Sequence, residues 1–382
     1  MTIVTQGYGC GYLGTRESCF VSCPAPSANP SPNLNMELYI DGQRFQEWHI
    51  IQINWEIGAL TTFQINFGDP NRNHRWIRQS SLAEVYLSWG DRDPVKYFSG
   101  YITRMSRNVS NQRYMVTASG VNHGLYMRDK QAWDNTYERL SYNNMKCSEI
   151  LTDLIAQVDS IDGLVKPNSD EPSISLQCEQ GSSILTNFIK VSQYGGYDWK
   201  IDEDGKLFVY KEPELVDGNA KFNLLLGDYN SFSDLPEHPH LYIRGVTLQK
   251  DYNTIKNFYK VVGANAIYGT GFNQFSIQKY GRTAEARYVD ESLTSVQSCE
   301  SVARRLAEVN GEPRITVPIK IKGNTYLDVG DIVYCDDLDR QVFTSLDNQY
   351  LKVYQKNDTI SKSGWSSDVT IGAPKKEIYD VL

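Results

Sequence analysis

IIQINWEIGALTTFQINF, residues Ile50–Phe67, is the stretch that decides the fold. Its first half, Ile50–Ile57, reads I-I-Q-I-N-W-E-I, and its second, Thr61–Phe67, reads T-T-F-Q-I-N-F. Side chains of a strand point alternately to opposite faces, so this period of two predicts a pair of half-buried strands. The signal continues outward on both sides. Glu37–Ile40 leads into a turn at Asp41–Gly42, and Ala83–Trp89, Tyr97–Ser106 and Arg113–Ser119 follow, with Asn111 at the last turn. Five or six short strands separated by turns predict an antiparallel barrel or sandwich over residues 34–128.

Beyond Asp129 the period changes. Lys146–Val158 places Ile150, Leu151, Leu154, Ile155 and Val158 on one helical face, and Ser182–Gln193 does the same with Ile184, Leu185, Phe188 and Ile189. Gly195–Gly196 stops the second helix, and a hairpin follows: Tyr197–Ile201, the turn Asp202–Gly205, then Lys206–Tyr210. Residues 129–235 therefore read as a small α+β region.

Strands return over 236–382, at Leu241–Lys250, Asn257–Gly263, Arg282–Val289, Arg314–Lys322, Asp331–Cys335, Gln349–Gln355 and Asp368–Ile371. One helix, Ser295–Asn310, interrupts them and is ended by Gly311–Glu312–Pro313. Residues 1–33, glycine-punctuated and closed by CPAPSANPSPN (Cys23–Asn33), read as a flexible arm. The predicted fold class is mainly β with an α+β insert: two antiparallel β-barrels flanking the middle region, the second carrying the packed helix.

Composition excludes several classes. A length of 382 residues suggests two or three domains, and 22% charged with 40% hydrophobic residues is globular rather than disordered. Acidic residues outnumber basic ones 46 to 38 with no long basic run, a poor balance for gripping phosphates. That balance fits both the wall of a passage through which DNA slides and an ordinary soluble surface, so the charge alone does not choose between them. No run approaches the roughly 18 apolar residues of a membrane span. The start, MTIVTQGYGCGYLG, lacks the pattern of a signal peptide, which predicts synthesis in the cytoplasm and reduced thiols. Cys147, Cys299 and Cys335 then read as small buried hydrophobes.

Each group able to carry chemistry has a plainer reading beside it. Asp234, Glu237, His238 and His240 in DLPEHPH are the densest set of metal-ligand types, but Pro236 and Pro239 hold the segment extended as a linker. Cys10, Cys19 and Cys23 have neither a CxxC pair nor a nearby His. Asp202, Glu203 and Asp204 precede Gly205 in a hairpin turn rather than a calcium loop, and Asp336, Asp337 and Asp339 look like a solvated hairpin. HExxH, GxSxG and the P-loop are absent, and Gly263–Gly271 (GANAIYGTG) lacks the Lys-Ser/Thr of a P-loop and reads as a loop between strands. No cofactor, metal or catalytic residue is assigned, and the chain is expected not to be an enzyme.

Three stretches in order carry a resemblance: Tyr97–Asp129 (YFSGYITRMSRNVSNQRYMVTASGVNHGLYMRD), Gly181–Tyr210 (GSSILTNFIKVSQYGGYDWKIDEDGKLFVY) and Gly281–Asp337, with its helix and the strand entry Leu327–Val333. The first resembles the close of the first barrel of tailed-phage hub proteins. The second is similar to the helix-then-hairpin of their middle region, and the third to their second barrel. That family comprises baseplate hubs of contractile tails, tail-tip hubs of siphophages and spike hubs of secretion systems.

The resemblance implies a virion protein at the tail tip whose two barrels resemble the subunit of the tail tube. Three chains would present six barrels to a sixfold tube and convert its symmetry to that of a threefold spike or fibre. The implied partners are further copies of the chain, the tail tube or distal tail protein, the tape measure protein, spike or fibre proteins, and DNA in transit. The sequence ends soon after the second barrel, so host recognition and wall digestion are expected of other proteins. Arg72, Arg75, Trp76 and Arg78 in Gly68–Ser81, with Tyr268, Phe272 and Phe275 in Gly263–Arg282, are the residues expected to touch an adjacent ring. Two other classes stay open: a wall hydrolase built on a carboxylate pair, and a glycan-binding module with a row of exposed aromatics.

Overall fold

In the computed structural model of the chain, the described residues are 34–69, 74–89, 93–110, 113–133, 138–211, 220–226, 240–243, 249–323, 327–335 and 349–373. The first β region holds β1 (Leu34–Ile40), β2 (Gln43–Phe45), β3 (Trp48–Glu56), β4 (Thr62–Gly68), β5 (Leu82–Trp89), β6 (Val95–Ser110) and β7 (Arg113–Val121). The alternation does what it predicts: Ile51, Ile53, Phe63, Ile65 and Phe67 are buried with Leu38, Val85, Phe98 and Val116 in one apolar core. Full burial of such a side chain stabilises by ~1.5–3 kcal/mol, which offsets the entropy lost in ordering the strands. The β1–β2 turn has positive φ at both residues, 50° at Asp41 and 73° at Gly42, the geometry that matches strand twist. The Asp41 carboxylate locks that turn to the start of β5, the strand beside β1, accepting hydrogen bonds from Ser81 Oγ at 2.7 Å and the Leu82 amide at 2.8 Å.

The middle region holds α1 (Leu125–Asp129), β8 (Ser141–Lys146), α2 (Cys147–Ala156), β9 (Gly163–Val165), β10 (Ser173–Gln177), α3 (Ile184–Gly195), β11 (Tyr197–Ile201) and β12 (Leu207–Lys211). Ser183 caps α3 by accepting from the Thr186 amide at 3.1 Å, and Gly196 ends it with φ at 69°. Asp202–Gly205 is the hairpin turn between β11 and β12, as its sequence predicts.

Then come β13 (Ala220–Leu226), β14 (His240–Ile243), β15 (Gln249–Asp251), β16 (Phe258–Val262), β17 (Tyr268–Phe272), α4 (Gln274–Tyr280), β18 (Glu285–Val289), α5 (Val296–Asn310), β19 (Arg314–Lys322), β20 (Ile332–Cys335), β21 (Gln349–Ser361) and β22 (Gly364–Ala373). Val317, Ile319, Val333, Leu351, Val353, Val369 and Ile371 form a separate core for the second β region. Mainly β with an α+β insert is therefore the class observed.

The two β regions are one sheet. β21 pairs with β3 in antiparallel register from Gln355↔Glu56 to Ser361↔Ile50. The strand order is β14-β13-β20-β21-β3-β4-β7-β6-β5-β1-β2, with β22, β19 and β15 branching from β21.

Two local expectations need correction. Gly263–Arg282 is not a simple loop, since it contains β17 and α4. Its glycines read as a turn signal, yet Gly269 and Gly271 face α5 so closely that a Cβ would lie 2.3 Å and 2.2 Å from its backbone nitrogens. Helix α5 also packs elsewhere than expected. Cys299, Val302, Ala303 and Leu306 join α2 and α3 in the middle core rather than the core of the second β region.

Candidate functional site

A dense convergence of polar side chains lies where β21 meets β3. Asp358 of β21 is 1% exposed, and four donors meet its carboxylate: Trp55 and Trp365 through Nε1 at 2.9 Å each, Tyr97 and Ser367 through their hydroxyls. Lys356, two residues back on the same face, lies 3.7 Å from that carboxylate and donates to Tyr97 Oη at 3.0 Å and the Leu327 carbonyl at 2.8 Å. Burial, and then the Asp358 charge, push the Tyr97 hydroxyl well above the ordinary phenol range, so it remains a donor. Burial likewise pulls the Lys356 ammonium below the ordinary lysine range against the attraction of Asp358 and Asp328.

A second layer ties the middle region to this joint. Lys352 of β21 meets Asp198 of β11 at 2.9 Å, Lys200 of β11 pairs with Asp328, and the Gly58 amide donates to the Trp199 carbonyl at 3.1 Å. Lys221 of β13 pairs with Asp331 at 2.8 Å, and the same carboxylate accepts from the Asp328 amide at 2.8 Å. Such an arrangement holds three regions in fixed relation through directional bonds. Its carboxylates are occupied by tryptophans, hydroxyls and lysines, so it offers no free acid or base.

The contact between Ser99 and His123 is equally occupied. Ser99 Oγ lies 2.8 Å from His123 Nε2, the contact a nucleophile and its base would make. Ser99 is only 2% exposed, however, and its hydroxyl also meets the Glu203 carbonyl at 2.6 Å, which leaves no room for a substrate. The pair clips β6 to the β11–β12 turn. Burial, then the neighbouring Lys96, lowers the His123 imidazole below its ordinary range. Among the described residues no group of three or more His, Cys, Asp or Glu side chains could hold a metal ion.

Of the seven predicted contact residues, the six that are described fall on two separate stretches of the chain. Arg72 lies outside the described residues, as do Cys10, Cys19, Cys23, Asp234–Pro239 and Asp336–Asp339. Arg75 and Arg78 are exposed, whereas Trp76 is half-buried and turns onto the first core, edge-on to Phe45 with ring centroids 6.4 Å apart. Tyr268 and Phe272 are each 56% exposed on β17 and Phe275 is 68% exposed on α4. The polar joint itself was missed by sequence reasoning. Its only trace is that Lys356, Asp358 and Trp365 follow a strand pattern closely, and in a single sequence charged residues there read as the end of the strand.

No protein-family model and no curated protein sequence matches the chain. Its fold nonetheless recurs in solved structures over nearly its whole length. The 43 kDa tail protein of prophage MuSo2 from Shewanella oneidensis matches with a TM-score of 0.62 at 13% identity, over 88% of this chain and 98% of that one. A tail protein from Neisseria meningitidis MC58 matches with a TM-score of 0.61 at 12% identity, over 91% and 99%. A component of the type VI secretion system of E. coli matches with a TM-score of 0.52 at 11% identity, over 89% and 77%. At these identities the likeness establishes a shared fold, and that fold is the one found in phage tail proteins and in a component of a type VI secretion system.

Proposed function

We propose that this chain is a structural component of a phage-type tail, a hub at its tip, and that it acts mechanically rather than as an enzyme. The observation that carries this reading is the side-by-side joining of two β regions through β3 and β21, in a fold shared over about nine-tenths of the chain with tail proteins. Two similar wall elements fixed in one chain allow a threefold set of chains to meet a sixfold tube, and a closed ring covers strand edges that would otherwise aggregate. The polar joint at Asp358 keeps the two elements from moving apart while DNA passes. On this reading the units are the arm 1–33, the wall elements 34–128 and 236–382, and the middle region 129–235, with α5 and its sheet lent to the middle core.

The partners are further copies of the chain, the tube or distal tail protein, the tape measure protein, and a spike or fibre, with exposed Arg75 and Arg78 touching the neighbouring ring. The test is a reconstruction of particles containing the chain. Three copies around the tail axis at the tip are expected, and Arg75→Glu/Arg78→Glu should lower incorporation without changing the stability of the free chain. A chain absent from the particle, or present along the tube in a copy number unrelated to three, would sink the proposal. The wall-hydrolase alternative makes a different demand: the purified chain would have to clear a zymogram.

A further inference from the structure

The three-stranded sheet β17-β16-β18 has two unlike faces. One lies on α5, with Gly269 and Gly271 against its backbone. The other is open. In register across it run Tyr268–Val262–Val289, then Thr270–Lys260–Arg287, then Phe272–Phe258–Glu285. Tyr268 and Phe272 are 56% exposed and Val289 is 47% exposed, where a solvated face would carry polar side chains. Just beyond β17, Phe275 is 68% exposed, with Lys279 Nζ 5.7 Å from its ring.

The strands of this sheet and α4 carry a charge opposite to that of the chain, one of their cations, Lys279, being paired with Glu312 at 2.9 Å. Residues 256–289 contain five Lys and Arg against one Glu, a net +4, while the whole chain carries −8, so the remainder carries −12. Moreover, Lys260 and Arg287 are direct neighbours on β16 and β18, both exposed. Like charges in that position repel and cost stability. Lys260 finds only the Tyr268 ring, 4.4 Å from its ammonium, and neither cation meets a carboxylate among the described residues. A pair of unneutralised cations framed by exposed aromatic and aliphatic side chains calls for an anionic partner with an apolar layer beneath its charge.

We propose that this face docks on an anionic lipid surface, Lys260 and Arg287 meeting phosphate headgroups while Tyr268, Phe272 and Phe275 enter the boundary with the acyl chains. Single-stranded nucleic acid would use flat rings along a cationic track, and the valines would add nothing to it. An acidic protein would present fixed carboxylates, for which an unanchored lysine and arginine side by side are poorly organised. No helix among the described residues is long and apolar enough to cross a membrane. The inference does not depend on the chain being a tail component.

The test is flotation of the purified full-length chain with vesicles of phosphatidylcholine alone and of phosphatidylcholine mixed equally with phosphatidylglycerol. Recovery with the anionic vesicles only, reversed by added salt, is expected. Lys260→Glu/Arg287→Glu should weaken partitioning by on the order of 30-fold or more. Phe272→Ser/Phe275→Ser should weaken it even at low salt, and Arg75→Glu/Arg78→Glu should leave it unchanged. A chain that is folded by circular dichroism yet ignores phosphatidylglycerol vesicles at low salt overturns the proposal. So does a Lys260→Glu/Arg287→Glu variant that binds as the native chain does. Retention on polyglutamate or single-stranded DNA, without vesicle binding, reassigns the face and also overturns the lipid reading.

Discussion

Where β21 meets β3, neighbouring elements are held by a buried carboxylate with four donors; where β17 meets α5, they are held by the absence of side chains. The first contact is directional and charged, the second depends on close approach of two backbones. The difference predicts different tolerances. A buried charge network fails when one member is removed, because the remaining groups are left unpaired in a dry place. A glycine contact fails when anything is added, because the backbone opposite cannot give way.

Asp358→Ala separates these cases most sharply. It removes the counter-charge of the buried Lys356 ammonium and the acceptor of two indole N–H groups, so a loss of about 3–5 kcal/mol is expected in urea unfolding. A loss near zero would show that water reaches the joint. Gly271→Ala comes next, with about 1–3 kcal/mol from overpacking against the Arg304 amide. Its control is Gly281→Ala, where φ is 64° but nothing lies within 4 Å of the new Cβ, and a cost of only ~1 kcal/mol is expected. Equal losses at the two glycines would mean that β17 can lift off α5.

The smallest effect is a pH dependence from the clip that holds the β11–β12 turn. His123 has a depressed imidazole in the folded chain, so between that value and the ordinary one near 6.5 the unfolded chain binds more protons. Stability from this group is therefore present above about pH 6.5 and falls as the pH drops below it. Melting temperatures across that range should show the decline, and His123→Gln should flatten it. An unchanged slope in the variant would assign the acid sensitivity to other groups.

The contrast between the two contacts also explains what was readable. Ile51, Ile53, Phe63 and Ile65 announced their strands because one face is buried and the other is not, and that asymmetry is written directly into the residue order. The second helix of the middle region was equally legible, from its apolar stripe and the Gly pair that ends it. Tyr-Gly-Thr-Gly-Phe was misread because glycine usually marks a turn, and nothing local says that a helix some thirty residues later will lie on that strand. Among the residues expected to touch an adjacent ring, Arg75 and Arg78 are exposed, whereas Trp76 is half-buried with its ring edge-on to Phe45.

The residue order by itself determined the strand and helix periods, the mainly β class with its α+β insert, and the concentration of cations within 256–289 of an otherwise acidic chain. Tertiary structure alone decided that β3 and β21 share one sheet, that α5 serves the middle core, and that Asp358 is an interior acceptor rather than a solvated turn residue. Periodicity and charge are properties of neighbours along the chain. Burial of a polar group depends on partners such as Trp55, Tyr97 and Trp365, and of these only Trp365 lies near Asp358 in sequence.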